Sequence, residues 1–516
     1  MRPLFLTLLA WISTVPTALA QEEAAGIDAA INAMMAPVAS TAVAIIFYSV
    51  PIAGVKVPLI VMWLAAAAIF FSFYYRFISM RAFGHAFRLI RGDYSDPKAA
   101  GEVSHFQALA TALSGTVGLG NIAGVAVAIS VGGPGATFWM IVVGLLGMSS
   151  KFVECTLGVK YRRENPDGSV SGGPMYYLSK GLAKRNMAGL GKFLAIFFAI
   201  CMVVGSLGGG NMFQVNQAYQ QVVNVTGGDT SFFADKAWLF GLIVAVIVGM
   251  VIIGGIKRIA HVTEVLVPFM AVTYLIAAFV IIAINIDQVP AAFGTIFAGA
   301  FAPEGVAGGI IGVMIQGMRR ATFSNEAGVG TASVAHSAVR TNEPITEGLV
   351  ALHEPFIDTV VICTATALVI VITGAYTQEG LGGVELTSAA FATVIDWFPY
   401  VLAVAVILFA FSTIIAYSYY MVKAATYLFG ENPTMTLIMR LIFCTFTVIG
   451  ATMQLGPLID FSDAMFFSMA IANIVGLYIL ASEVKQDLDS YWTRLKNGEI
   501  LPYKERAAAA QAASRQ

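Results

Sequence analysis

Residues 114–124 read SGTVGLGNIAG, four glycines and an asparagine within a stretch that carries no charge from Phe106 to Ser150. Each glycine weakens a helix by roughly 1 kcal/mol relative to alanine. A helix broken here exposes backbone N–H groups, and the positive end of a dipole, at the start of its second half, which suits a carboxylate. The carbonyls released by the first half, with the side-chain oxygen of Asn121, suit a hard cation such as sodium. Small-residue helix packing of the GxxxG kind fits the same residues.

A second stretch, RRATFSNEAGVGTASVAH at 319–336, places Ser324, Asn325, Glu326, Gly328 and Gly330 inside an apolar segment. Ionised groups at that depth are costly and face a cavity or each other. Arg319, Arg320 and Glu326 therefore read as gate or helix-orienting pairs rather than direct ligands. Two interruptions in corresponding halves of a membrane chain point to a transporter site.

Three further segments bear polar groups. GGGNMFQVNQAY (208–219) sets Asn211, Gln214 and Gln217 along one side of a helix with Phe213 and Asn216 adjacent. Such amides hydrogen-bond an amino-acid-like ligand or glue helices together. FAFSTIIAYSYY (409–420) offers the hydroxyls of Ser412 and Thr413, with Tyr417 one turn on; these hydroxyls can also bond back to their own helix. Glu354 and Asp358 lie one turn apart beside His353, as a proton relay or as partners of Arg320 or another buried cation. Lys151 and Glu154, three apart, read as a local pair.

The elements that must hold these groups are membrane helices. The chain has 516 residues, 58% hydrophobic and 11% charged, with mean hydropathy +0.80. Soluble domains carry about 25% charged residues. Repeated uncharged runs long enough to span a bilayer predict an all-α polytopic membrane protein. Residues 1–20 have the pattern of a cleavable signal peptide. Basic loops at 76–98, 160–185 and 255–261 alternate with loops poor in Lys and Arg. Eleven crossings satisfy that alternation, with the mature N-terminus outside and the C-terminus in the cytoplasm. Residues 21–56 then form an amphipathic or re-entrant segment on the outer face, and 483–516 a cytoplasmic tail of about one short helix. VGLGNIAGVA (117–126) aligns weakly with VGTASVAHSA (329–338), and five intervening spans make those helices antiparallel, as an inverted repeat requires. The four cysteines have no metal-ligand spacing and read as packing residues. No HExxH, GxSxG or P-loop string is present, which argues against an enzyme. A channel is disfavoured because no filter-like carbonyl repeat accompanies the paired breaks.

The strings TALSGTVGLGNIAGVAVAI, GGPGATFWM, GMSSKFVE, GGPMYYL, FSNEAGVGTASVAH and FAFSTIIAYSYY, in this order, resemble the alanine or glycine:cation symporters, a family of LeuT-fold transporters. The resemblance implies a LeuT-like 5+5 inverted repeat at 105–287 (helices two to six) and 305–482 (helices seven to eleven), preceded by one extra helix at 57–76. It implies sodium-coupled uptake of small neutral amino acids across the plasma (inner) membrane, with proton coupling or another substrate such as glutamine as the alternative. Carried over by position, the amides of Gly118, Leu119 and Gly120 would hold the substrate carboxylate, with Thr116 and Asn121 beside it. Ser114 and Val117 with Ser412 and Thr413 would hold sodium, and Phe213, Gln214, Asn325 and Tyr417 would shape the pocket. The family often has tryptophan where Tyr417 stands, which implies a pocket of different shape. A lipid bilayer is implied as environment, but no organic cofactor, nucleic acid or obligatory protein partner.

Overall fold

The computed structural model describes residues 27–506 except Ala53, 166–167, 303–307 and Glu379, with side chains from Pro37 onward. The predicted signal peptide lies outside the described residues. A helix, α1 (Ile27–Ile46), and an antiparallel hairpin pairing Ser49–Ile52 with Val55–Pro58 fill most of the predicted outer segment. Helix α2 (Leu59–Tyr74) follows at Pro58, and α3 (Phe83–Ile90) lies in the first basic loop.

The next elements repeat in order. Helix α4 (His105–Thr116) meets α5 (Gly120–Gly132) at a bend of 51°. They are followed by α6 (Ala136–Lys160), short α7 (Pro174–Lys184), α8 (Ala188–Val225), α9 (Ala237–Ile252) and α10 (Gly255–Ile284). After a linking helix, α11 (Val289–Phe301), a second broken pair appears: α12 (Gly309–Asn325) and α13 (Ala332–His336). Then come α14 (Pro344–Ile372), short α15 (Gly383–Ala392), α16 (Phe398–Phe429), α17 (Pro433–Thr452) and α18 (Leu455–Lys496). Each half thus runs broken helix, long helix, short helix, then further long helices. Among the described residues, each expected crossing overlaps a helix or a broken pair, and seven helices are long and apolar enough to cross a membrane, or eight if α4 and α5 form one span. The tail departs from expectation, because α18 runs unbroken to Lys496.

Local chemistry accounts for the breaks. Helix α4 starts in a capping box, Ser104 Oγ accepting from Gln107 N while the Gln107 side chain accepts from Ser104 N. It ends in an inverse γ-turn centred on Val117, whose φ −75° and ψ 84° let Gly118 N reach Thr116 O at 2.9 Å. Helix α12 ends at Glu326, a non-glycine residue in the left-handed region at φ 57°. Glycines also let α6 approach both α14 and the second break. A Cβ on Gly144 would lie 3.0 Å from Thr359, and one on Gly147 would lie 2.8 Å from Ala327.

Candidate functional site

The two breaks meet at Asn121. Its Oδ1 accepts from Gly118 N at 2.9 Å, closing the turn on itself. Its Nδ2 donates across to Ser324 Oγ on α12 at 3.1 Å and to Asp358 Oδ1 on α14 at 2.6 Å. Ser324 and Thr359 hydroxyls each donate to Asp358 Oδ2 at 2.7 Å, and Asn325 Nδ2 donates to Thr359 Oγ1 at 2.9 Å. All of these side chains are buried. The partners of Asp358 in this cluster are neutral, so among the described residues no cation forms an ion pair with it.

The first break is closed on its other side by Gln214 of α8, whose Oε1 accepts from Leu119 N at 2.9 Å while its Nε2 donates to Gly209 O at 2.9 Å. Two of the three amides expected to hold a carboxylate, Gly118 and Leu119, are therefore held by side-chain oxygens of Asn121 and Gln214. Gly120 abuts Ser324, whose Cα lies 3.3 Å from where a Cβ would stand. Thr116 bonds back to the carbonyls of its own helix.

The expected sodium groups also converge. Ser114 Oγ donates to Ser412 O at 2.6 Å, bringing α4 onto α16. Ser412 Oγ donates to Phe409 O, which leaves its oxygen lone pairs available. Thr413 Oγ1 is buried without a hydrogen-bond partner and lies where any Cβ on Gly118 would stand. Val117 is the pivot of the turn beside them. An orphaned buried hydroxyl over released helix carbonyls fits a hard cation.

Other expected site residues sit around this centre. The Phe213 ring packs edge-on to Phe323 at 5.2 Å, and Phe323 meets Phe466 at 5.2 Å. Tyr417 packs against Gly210 and donates its hydroxyl to Glu326, whose other oxygen accepts from Thr331. Glu326 thus fastens its own left-handed turn rather than pairing with the arginines.

The charge pairs differ from several sequence expectations. Arg319 and Arg320 both reach Asp463 on α18, Arg319 at 2.8 Å, and Arg319 stacks over Phe47. Lys151 pairs with Glu354 at 3.2 Å and not with Glu154, which accepts from Asn473 at 2.9 Å. Three residues of spacing put Lys151 and Glu154 near one another, but tertiary packing supplied better partners. Glu354 also lies 3.4 Å from His336 Nε2. Glu347 joins His336, at 2.5 Å, to His105 at the start of α4. His353 instead packs on Phe83, ring centroids 4.3 Å apart. Asn211, Asn216 and Gln217 act as interhelical glue, bonding Phe443 O, Met453 O and Val384 N.

Sequence reasoning missed His105, Glu347, Asp463 and Asn473. Each is a polar residue in or beside an apolar run, and that was their available signal. Asn473 donates to Gly328 O at 2.9 Å inside the second break, so α18 braces it.

Known proteins can be set beside this geometry. The model of the sodium:alanine symporter family matches residues 40–505. The sodium/alanine symporter AgcS of Methanococcus maripaludis is 38% identical over 444 residues, covering 85% of this chain and 95% of that protein. The probable sodium/glutamine symporter GlnT of Bacillus subtilis is 33% identical over 443 residues, covering 86% and 89%. The putative sodium/proton-dependent alanine carrier YrbD of Bacillus subtilis is 34% identical over 445 residues, covering 83% and 88%. The solved structure of MhsT in complex with L-phenylalanine aligns with a TM-score of 0.54 at 14% identity, covering 74% of this chain and 89% of that one, which supports the LeuT-like fold. A match over nearly the whole chain, joined to paired helix breaks in a LeuT-like frame, places it in the sodium:alanine symporter family of multi-pass membrane transporters.

Proposed function

We propose that the chain carries a small neutral amino acid, alanine or glycine, inward together with sodium by alternating access, in the plasma (inner) membrane with its C-terminus cytoplasmic. The observation that carries this reading is Thr413 Oγ1, buried and unpartnered against the Gly118 turn. Sodium there engages Thr413, Ser412 and the carbonyls of Ser114 and Val117, and stiffens the turn. The substrate carboxylate then replaces the side-chain oxygens of Gln214 and Asn121 at the amides of Leu119 and Gly118. Freed amides gain a charged acceptor, and charge-assisted hydrogen bonds are stronger than neutral ones. Phe213 and Phe323 cover the apolar side of the substrate, and Asn325 and Tyr417 hold the second break.

The test is uptake of labelled alanine, glycine and glutamine into proteoliposomes under an imposed sodium or proton gradient. Accumulation that follows sodium, and is lost in Asn121→Ala, supports the site and names the substrate. Proton coupling is the second reading, favoured by the lack of a cationic partner for the Asp358 carboxylate among its described neighbours. Asp358→Asn should abolish proton-driven uptake under that reading and spare sodium-driven uptake under the first.

A further inference from the structure

Helices α9 and α17 pack antiparallel, and their contacts step along both helices together. A Cβ on Gly241 would lie 2.8 Å from Val448 Cα, and Cys444 Sγ donates to Ala245 O at 3.7 Å. The last step sets Arg440 beside Ile253, in the turn that leads from α9 into α10. Arg440 stands about two turns, or about 10 Å, inside α17. Around it the surface is that of a lipid-facing helix pair: Met250, Ile253, Leu437 and Leu441 are large apolar side chains, and all are exposed.

An arginine in such a place needs an anion, because an unpaired cation beside hydrocarbon is costly. A guanidinium carries five N–H donors. The bond found for Arg440 among the described residues runs from Nη1 to Ile253 O at 3.5 Å, too long to satisfy the group. That contact is the ordinary role of a cation at a helix C-terminus, here that of α9, and it leaves the other donors open. The nearest acids in sequence are already engaged. Glu431 meets Arg163 at 2.6 Å, and Glu264 meets His261 at 2.7 Å and Gln107 at 2.8 Å.

Two more cations stand at the same turn. Lys257 and Arg258, in the first turn of α10, are exposed, and neither forms an ion pair among the described residues. A Cβ on Gly254 would overlap the Arg258 side chain, so the stem of that arginine lies back against the turn that Arg440 touches. Three cations thus meet one turn at the border of an apolar surface. Other basic side chains have acids of their own: Lys160 pairs with Glu483 at 2.7 Å and Arg494 with Glu343 at 2.8 Å.

We propose that Arg440, Lys257 and Arg258 bind the phosphate of an anionic phospholipid, whose acyl chains lie along the apolar surface of α9 and α17. The planar fork of Arg440 takes two phosphate oxygens at once, and the two residues of the turn add further charge-assisted bonds. A lipid fits better than a free anion, because Arg440 is set back from the helix end and flanked by large apolar side chains. Basic pockets between membrane helices hold acidic head groups in this way. Helices α9, α10 and α17 contribute none of the groups assigned above to sodium or substrate, so this site is separate from them.

The test is native mass spectrometry of the full-length protein purified in detergent, titrated with dioleoyl phosphatidylglycerol or with dioleoyl phosphatidylcholine. The first phosphatidylglycerol should bind at least about tenfold more tightly than the first phosphatidylcholine, with about a fivefold loss for each cation removed. Arg440→Gln should show that loss, and Arg440→Lys a smaller one, because an ammonium keeps the charge without the fork. Lys192→Gln removes the same charge from an exposed position near the start of α8 and should leave the affinity unchanged. The double variant Lys257→Gln, Arg258→Gln lies in an exposed turn and decides the matter if Arg440→Gln does not fold. Equal affinity for the two lipids overturns the proposal, as does an equal loss in the site variants and in Lys192→Gln. Ammonium phosphate at millimolar concentration should not displace the lipid; displacement would overturn the lipid assignment and make this a site for free phosphate.

Discussion

Thr413 and Asn121 illustrate two ways in which a polar side chain is held in an apolar interior. Asn121 is satisfied on every side, by Gly118 N, Ser324 and Asp358, so it defines the geometry of the break. Thr413 Oγ1 is left without a protein partner, and a buried hydroxyl in that position invites a ligand. Thr413→Val keeps the volume and removes the oxygen. We expect the sodium concentration for half-maximal uptake to rise about tenfold, equivalent to about 1.4 kcal/mol, with alanine KM at saturating sodium little changed. A sodium titration of uptake decides it, and an unchanged sodium dependence would remove Thr413 from the ion site. The glycines and the asparagine were legible in the sequence because each breaks a rule of apolar helices. The partners of the charged residues were not. Arg320 meets Asp463, and Lys151 meets Glu354, across 143 and 203 residues of chain. Only the packing of α12 on α18, and of α6 on α14, decides those pairs.

At the scale of elements, the order of helices could be read from apolar runs, glycine breaks and the alternation of basic loops, because lipid enforces each of these separately. The extent of α18 could not. Its apolar stretch ends near 482, yet the helix continues to Lys496 because its polar extension docks on other elements at the same end of the bundle. Tyr491 OH lies 2.7 Å from His85 Nε2 on α3, and Arg494 makes a two-pronged pair with Glu343 at 2.8 and 2.9 Å. Burial, and secondarily the Arg88 guanidinium, lower the His85 pKa from 6.5 to about 4. The docked state thus binds fewer protons than the undocked one between those values. Docking is fully favoured above pH 6.5 and weakens as pH falls towards 4. Hydrogen exchange over residues 485–500, corrected for the intrinsic rate, should show less protection at pH 5 than at pH 7. His85→Gln should flatten that difference, and equal protection at both pH values in the wild type would contradict the assignment.

We propose that the whole molecule couples two ligands through one turn. On this proposal Ser114, Val117, Ser412 and Thr413 would read sodium, and the amides of Gly118 and Leu119 the substrate carboxylate. The two sets therefore share the peptide between Val117 and Gly118. A cation that fixes the Val117 carbonyl also fixes the Gly118 N–H, so ordering the turn for one ligand orders it for the other. Linkage then requires reciprocity: if sodium tightens alanine binding by some factor, alanine must tighten sodium binding by the same factor. Couplings of this kind are worth about 1–3 kcal/mol, or roughly 5- to 150-fold. We expect alanine titrations of the purified protein by calorimetry, in potassium and in sodium, to differ by a factor in that range. The sodium titrations with and without alanine should return an equal factor. Gln214→Ala should leave the sodium affinity measured without alanine nearly intact, because Gln214 bonds Leu119 on the substrate side of the turn. Gly118→Ala, whose Cβ would overlap Thr413 Oγ1, should abolish both affinities together. A factor of one between the potassium and sodium titrations would mean that the two sites do not share the turn, and the coupling would then have to be sought at Asp358, where α5, α12 and α14 meet.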